Sequence, residues 1–305
     1  MRELEQGRGG GPVRLGNVLN RILTMPSPSE EELHWVCEKH GPVPPVELKQ
    51  FDAQGNVVRV LRRIRGRCRA CMAEEEAERR AREAELEKER RLRRYAAAFP
   101  VAEMGRLQFC TLDDFEARDG AVTALEAARA FARGLPAPDP PGLLVWGQPG
   151  NGKSHLAAAL ANLARRMELA VAWVHAPSWL TYLGTLEADE RDDLLQRAAT
   201  ADLLVLDDLA GGRLTAPRVG WLQDLVDARY RRWAPTVVTT NLSPGQLRTV
   251  LNRVALGEEG LEDVTGDGDR IVDRLAELCV IVHNTATSYR LGVAQRRRED
   301  GDASG

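Results

Sequence analysis

The chain has 305 residues, 43% of them hydrophobic and 29% charged, with a formal net charge of -3. That balance describes a folded globular protein long enough for one sizeable core and a smaller module. It excludes a globally basic nucleic-acid binder, so any DNA contact must come from a local patch. The N-terminal MRELEQGRGGGPVRL lacks an apolar signal-peptide core. No apolar run reaches the length of about 18 residues that a membrane helix requires. The expected location is the cytoplasm, with no membrane partner. Five cysteines, an odd number in a reducing compartment, argue against a disulfide framework.

Residues 1–28 read as a weakly ordered arm in which Leu15, Val18, Leu19, Ile22 and Leu23 fall at helical spacing. Residues 29–73 carry a Cys/His cluster. Cys37-x-x-His40 precedes Cys68-x-x-Cys71, and two paired knuckles separated by a loop are what a tetrahedral structural zinc site requires. His34 is a rival ligand at the wrong spacing. The segment FDAQGNVVRVLRR between the knuckles reads as a hairpin with Gly55 and Asn56 near its tip. Arg59, Arg62, Arg63, Arg65, Arg67 and Arg69 crowd the second knuckle with no acid among residues 57–71. Either a DNA or partner contact or a merely solvated face fits that run. Residues 74–98 form a charged linker helix; its stretch 74–94 holds eight acidic and eight basic side chains and only Leu86 and Leu92 as large apolar groups.

From about Phe99 the texture changes. GLLVWG (142–147), AVAWVHA (170–176), DLLVLDD (202–208), TVVTTN (236–241) and CVIVH (279–283) are continuous apolar runs. Runs of this kind predict strands of a parallel sheet buried on both faces. Helices are expected between them at 153–167, 178–199 and 217–232. The domain closes near 292, and 293–305 reads as a flexible tail.

GQPGNGKS, from Gly147 through Gln148, Pro149, Gly150, Asn151, Gly152 and Lys153 to Ser154, fits G-x-x-x-x-G-K-[ST]. It follows a strand and opens a helix whose next residue is His155, the context of a triphosphate-binding loop. Glycines let successive N–H groups converge on the β-phosphate, and the helix start adds its positive end. Lys153 would reach the β- and γ-phosphates of ATP, and Ser154 would supply a hydroxyl to Mg²⁺. Asp207, ending the third strand, is the expected second Mg²⁺ ligand. Asp208 is placed to polarise the attacking water. Asn241, ending the next strand, could orient that water.

These motifs in order, with FCTLDDF (109–115), GDRIVDRL (268–275) and SYRLG (288–292), resemble the AAA+ ATPases over about residues 99–292. Within them the chain resembles the clade of DnaC- and DnaI-type helicase loaders and IstB-type transposition helpers. The resemblance implies a P-loop AAA+ parallel sheet flanked by helices, here preceded by a small zinc module and a charged linker helix. It also implies ATP hydrolysis at the interface of a homo-oligomer, with a replicative helicase and single-stranded DNA as partners. Arg274 resembles the arginine finger, with Arg270 a second candidate. Arg290 resembles the sensor 2 arginine, and Arg229 sits where related initiators carry another interface arginine. A helical insertion over 177–200 would line the DNA path, although it holds only Arg191 and Arg197 among an excess of acids. An IstB-like transposition helper, or an ATP-dependent adaptor with little hydrolysis, are the alternatives.

Overall fold

A computed structural model describes residues 26–135, 141–256 and 266–289. The N-terminal helical stretch, the acidic loop after Leu256, Arg290 and the C-terminal tail lie outside the described residues. The chain divides into two compact units, residues 1–87 and 88–305.

In the first unit a short helix, α1 (Glu30–Leu33), is closed by a capping box between Ser29 and Glu32. Two antiparallel ribbons follow: β1 (Trp35–Cys37) with β2 (Gly41–Val43), and β3 (Val46–Phe51) with β4 (Val57–Ile64). The turn between β3 and β4 is held by Asp52, whose carboxylate accepts the backbone N–H groups of Gln54 and Asn56. Among the described residues of this unit, only Cys37, Val43 and Cys68 form a buried apolar cluster. A core that small needs a further cross-link to be stable.

The charged stretch is part of α2 (Arg69–Ala98). Its exposed face carries ion pairs at helical spacing, among them Arg80 with Glu76 and Arg93 with Glu89. Solvent screens such exposed pairs, so they add little to stability. The helix gains apolar anchorage only near its C-terminal end, where Tyr95 and then Phe99 enter the core of the second unit. Arg91 grips Asp202 there through two hydrogen bonds of 2.7 and 2.9 Å.

The second unit is built on a five-stranded, fully parallel sheet. Its strands are β5 (Gly142–Gly147), β6 (Val171–His175), β7 (Leu203–Asp207), β8 (Thr236–Thr240) and β9 (Cys279–Asn284), in the order β6-β7-β8-β5-β9. Alternate side chains enter two separate cores. Leu144, Leu204, Leu206 and Val238 face one layer, and Leu143, Val145, Leu203, Val205 and Val237 face the other. The second layer holds α3 (Val122–Gly134) and α4 (Lys153–Arg166). The first holds α5 (Ala176–Leu183), α7 (Ala216–Tyr230), α8 (Pro244–Leu256) and α9 (Asp267–Leu278). This is the parallel sheet flanked by helices that the sequence predicts.

The helix expected over 178–199 is two helices, α5 and α6 (Ala188–Thr200). Gly184 closes the first, and Glu187 starts the second from an extended conformation. Apolar periodicity does not register such a break, because Leu183, Leu186 and Leu194 keep the pattern across it.

Candidate functional site

In a parallel sheet the C-terminal strand ends converge on one edge, and the loops leaving them meet there. The loop after β5 turns through Gly147, Gly150 and Gly152, with φ of 144°, 80° and 98°. Space requires glycine as well as conformation. A Cβ on Gly147 would lie 2.2 Å from the Asn284 carbonyl oxygen, and one on Gly152 would lie 2.6 Å from the Phe115 ring. No side chain caps α4, so the N–H groups of its first turn face the loop.

Lys153 is buried, and its Nζ donates to the carbonyls of Gly147 (2.9 Å) and Gln148 (2.8 Å) and to Asn151 Oδ1 (3.1 Å). The ammonium thus holds the loop in the curl that a phosphate would occupy. His155 points to the opposite side, with Nε2 3.0 Å from the Thr111 carbonyl and its ring edge-on to Phe115.

Asp207 ends β7, buried beneath Ser154 and Thr239. Thr239 Oγ1 donates to Asp207 Oδ1 at 2.6 Å and accepts the Asp208 N–H at 2.8 Å, so one hydroxyl sets both acids. Burial pushes the Asp207 carboxyl above the usual carboxylate range, more than the bonds from Thr239 and Ser154 pull it down. A buried anion under-compensated by its own chain, next to a hydroxyl, fits Mg²⁺, with Ser154 and Asp207 as the residues that would hold it.

Asp208 sits at φ 57°, a left-handed conformation that Asp tolerates better than most residues. That turn aims its carboxylate away from Asp207. Asn241 Nδ2 donates to Asp208 Oδ1 at 2.9 Å, and His175 Nε2 lies 3.8 Å from Oδ2. The structure therefore brings Lys153, Ser154, Asp207, Asp208 and Asn241 to one edge.

Three contributors were missed in the sequence. Asn284, fully buried, donates to the Asn151 carbonyl at 3.1 Å and accepts the Asn151 amide on its own carbonyl at 2.8 Å. This reciprocal clamp ties the phosphate loop to the end of β9. His175 and Thr239 are the others. The available signal was the same for all three: a polar residue within or closing an apolar strand.

The arginines divide. Arg229 is corrected: it is not at an interface but fully buried. Its guanidinium donates to the carbonyls of Ala199, Ala201 and Pro235 and to Thr236 Oγ1. It ties the end of α6 to the start of β8, and burial pulls its pKa down to about 9. Arg274, 31% exposed, pairs with Asp227 and lies 5.7 Å from the Tyr230 ring centre. Arg270 is exposed on the same helix. Neither meets the phosphate loop of its own chain in any described contact. Arg290 lies outside the described residues.

In the first unit, ligand atoms of Cys37, His40, Cys68 and Cys71 all lie within 4.8 Å of one another. Tetrahedral zinc, with bonds near 2.3 Å to sulfur and 2.0 Å to nitrogen, sets S···S at about 3.8 Å and S···N at about 3.6 Å. The separations are 3.5 Å for Cys37 to Cys71, and 3.8, 3.6 and 3.3 Å from His40 Nδ1 to Cys37, Cys68 and Cys71. Backbone N–H groups of Lys39 and His40, then the His40 ring, pull the Cys37 thiol down toward the thiolate a metal takes, while its contact with Cys37 pushes the Cys71 thiol up. The donor set fits zinc. Glu74, missed in the sequence, receives His40 Nε2 at 3.0 Å and leaves Nδ1 for the metal.

The arginines around this centre are less available than the absence of local acids implied. Arg63 pairs with Glu47 and Glu30, Arg67 with Glu75, and Arg65 lies over the Trp35 ring.

A family model described as IstB-like ATP binding protein matches residues 68–298. The replicative helicase loader DnaI of Bacillus subtilis (strain 168) is 27% identical over 113 residues, 35% of this chain and 35% of that protein. The Escherichia coli (strain K12) protein YdaV is 30% identical over 129 residues, 42% of this chain and 50% of that one. The chain thus spans a third to a half of the length of these relatives. Among solved structures, DnaI (TM-score 0.50, 24% identity) covers 59% of this chain with 93% of its own. The DnaC helicase loader (TM-score 0.50, 22% identity) covers 59% with 99% of its own. At these identities the likeness bears on the fold. Among the described residues no helix is long and apolar enough to cross a membrane.

Proposed function

The chain belongs to the IstB-like ATP-binding protein family, and from that premise we propose that it hydrolyses ATP to load a replicative helicase onto single-stranded DNA. The observation that carries hydrolysis is the divided pair of acids at the end of β7. Asp207 is turned to the Ser154 hydroxyl, and Asp208 is turned to Asn241. One carboxylate is thereby reserved for the metal and the other for water. Mg²⁺, when bound, would neutralise charge on the transferring phosphoryl group. The uncapped start of α4 and Lys153 would hold the β- and γ-phosphates, and Asp208 would accept the proton of a water oriented by Asn241.

Arg274 completes this reading at a subunit interface. It has no described contact with its own phosphate loop, and its pairing with Asp227 and Tyr230 holds the guanidinium at the surface of α9. A homo-oligomer would carry it to a neighbour's γ-phosphate. The loader role is supported by the match to a protein named as a replicative helicase loader and by the zinc-fitting unit before the ATPase core. A transposition helper of the IstB type is the second reading, favoured by the family model itself.

Two measurements test the proposal. Asp208→Asn should bind ATP with Mg²⁺ normally and lose hydrolysis by at least about 100-fold; undiminished turnover would remove Asp208 from the chemistry. Full-length chain should capture a replicative helicase in a pull-down with ATP, and capture of a transposase instead would select the second reading.

A further inference from the structure

The end of α7 is unusual. Ala234 N–H donates to the Arg229 carbonyl, and Trp233 N–H donates to the Tyr230 carbonyl, at 3.1 and 3.0 Å. These two bonds are a Schellman ending, and they place Trp233 in the left-handed position that glycine normally fills. Trp233 has φ 48°, is half exposed, and meets only the Tyr230 ring among described aromatic groups, tilted at 5.6 Å. A bulky aromatic held in a strained backbone conformation while half in water gains little by burial, so the fold itself gives it little to do and its face is free for a contact outside the fold.

The charges around it are lopsided. Arg231 and Arg232 are exposed, and neither is ion-paired with any described residue. Beneath them Arg229 is buried on carbonyls and a hydroxyl rather than on a carboxylate. The nearby described acids are already engaged, Asp227 by Arg274, Glu277 by the Tyr230 hydroxyl and Asp202 by Arg91. The corner therefore combines an exposed indole face with two cations that no described acid pairs.

We propose that the turn Tyr230–Trp233 is a single-stranded nucleic-acid contact, in which a base stacks on Trp233 and Arg231 and Arg232 neutralise the flanking phosphates. Stacking on aromatic side chains combined with a basic track is how single strands are held without sequence preference. An apolar protein partner would not require two unpaired arginines beside the indole. The turn lies at the N-terminal end of β8, on the sheet edge opposite the phosphate loop. Its variants should therefore spare ATP binding. The proposal rests on the loader reading for its single strand and gives that strand a surface, but it does not depend on hydrolysis or on a helicase.

The test is fluorescence anisotropy of a labelled oligo-dT strand with the full chain, beside thermal unfolding and ATP-analogue binding. Trp233→Gly should weaken binding about tenfold, and Trp233→Phe should keep most of it. The glycine variant should unfold at the same or a higher temperature, because glycine relieves the left-handed strain. Arg231→Gln with Arg232→Gln should also weaken binding and lower the slope of log affinity against log salt by about 1.4. Unchanged affinity in Trp233→Gly, or no binding by the native chain, overturns the proposal. So does a lower unfolding temperature, which would make Trp233 a packing residue. A variant that alters only self-association or capture of a protein assigns the corner to a protein interface and overturns it as well. Failure of helicase capture by the native chain, with oligonucleotide binding intact, would count against the loader reading alone.

Discussion

Asp207 illustrates a cost carried for function. Its carboxyl is raised by burial, so in the nucleotide-free protein the ionised form is disfavoured in the folded state relative to the unfolded chain. For an acid raised on folding, the associated stability is present at low pH and lost as pH rises through the folded value. At neutral pH the charge is therefore destabilising. Asp207→Asn, which keeps an oxygen for Thr239, should raise the unfolding temperature of the nucleotide-free protein while abolishing Mg²⁺-dependent ATP binding. A lowered unfolding temperature would mean that the carboxylate is satisfied by its own chain. Asn284 is the reverse case, stabilising and remote from the chemistry. Asn284→Ala keeps the backbone carbonyl that takes the Asn151 amide but leaves the Asn151 carbonyl and the Ala286 N–H without their side-chain partner, and should cost about 2 kcal/mol of stability. It should also weaken ATP binding, measurable by equilibrium titration, because Asn151 and Lys153 share a hydrogen bond.

Among the elements, α2 shows how little sequence pattern says about anchorage. Its charge alternation announces a solvated helix, and the exposed ion pairs along it are what that pattern produces. What starts the helix is the metal knuckle: Cys68 precedes it, Cys71 lies in its first turn, and Glu74 one turn on holds His40. Metal analysis of purified protein should find one zinc per chain, lost in Cys68→Ser. Glu74→Gln should keep zinc but weaken it about tenfold against a competing chelator. Folded, metal-free native protein would end the zinc reading. The turn after β7 belongs to the same scale. LDD was legible as a strand-terminal acid pair with divided expected roles, yet the turn that parts the two carboxylates, with φ 57° at Asp208 and φ 63° at Ala210, was not. Backbone conformations of that kind leave no periodic trace.

At the scale of the whole molecule, the decisive question is whether one chain holds a complete site. If Arg274 acts on a neighbour, Arg274→Ala and Lys153→Ala should each lose turnover alone, and mixing them should restore part of it. In one of the two orders of neighbours, the intact phosphate loop of the Arg274→Ala chain then meets the intact arginine of the Lys153→Ala chain. No recovery in mixtures that demonstrably co-assemble would remove Arg274 from that role.

The phosphate loop, the strands and the paired Cys/His knuckles were determined by the sequence alone. Each is written in a short contiguous stretch whose local rule, glycine spacing, unbroken apolar run or paired ligands, needs no distant partner. Tertiary structure decided the rest. It took Arg229 from an expected interface into the core, set Arg274 against Asp227, joined Asn151 to Asn284 across 133 residues, and gave Arg63 and Arg67 their acids. The physical reason is common to all of these. The state of a charged or amide side chain depends on which donors, acceptors and charges folding brings within about 4 Å, and those come from segments that sequence spacing does not connect.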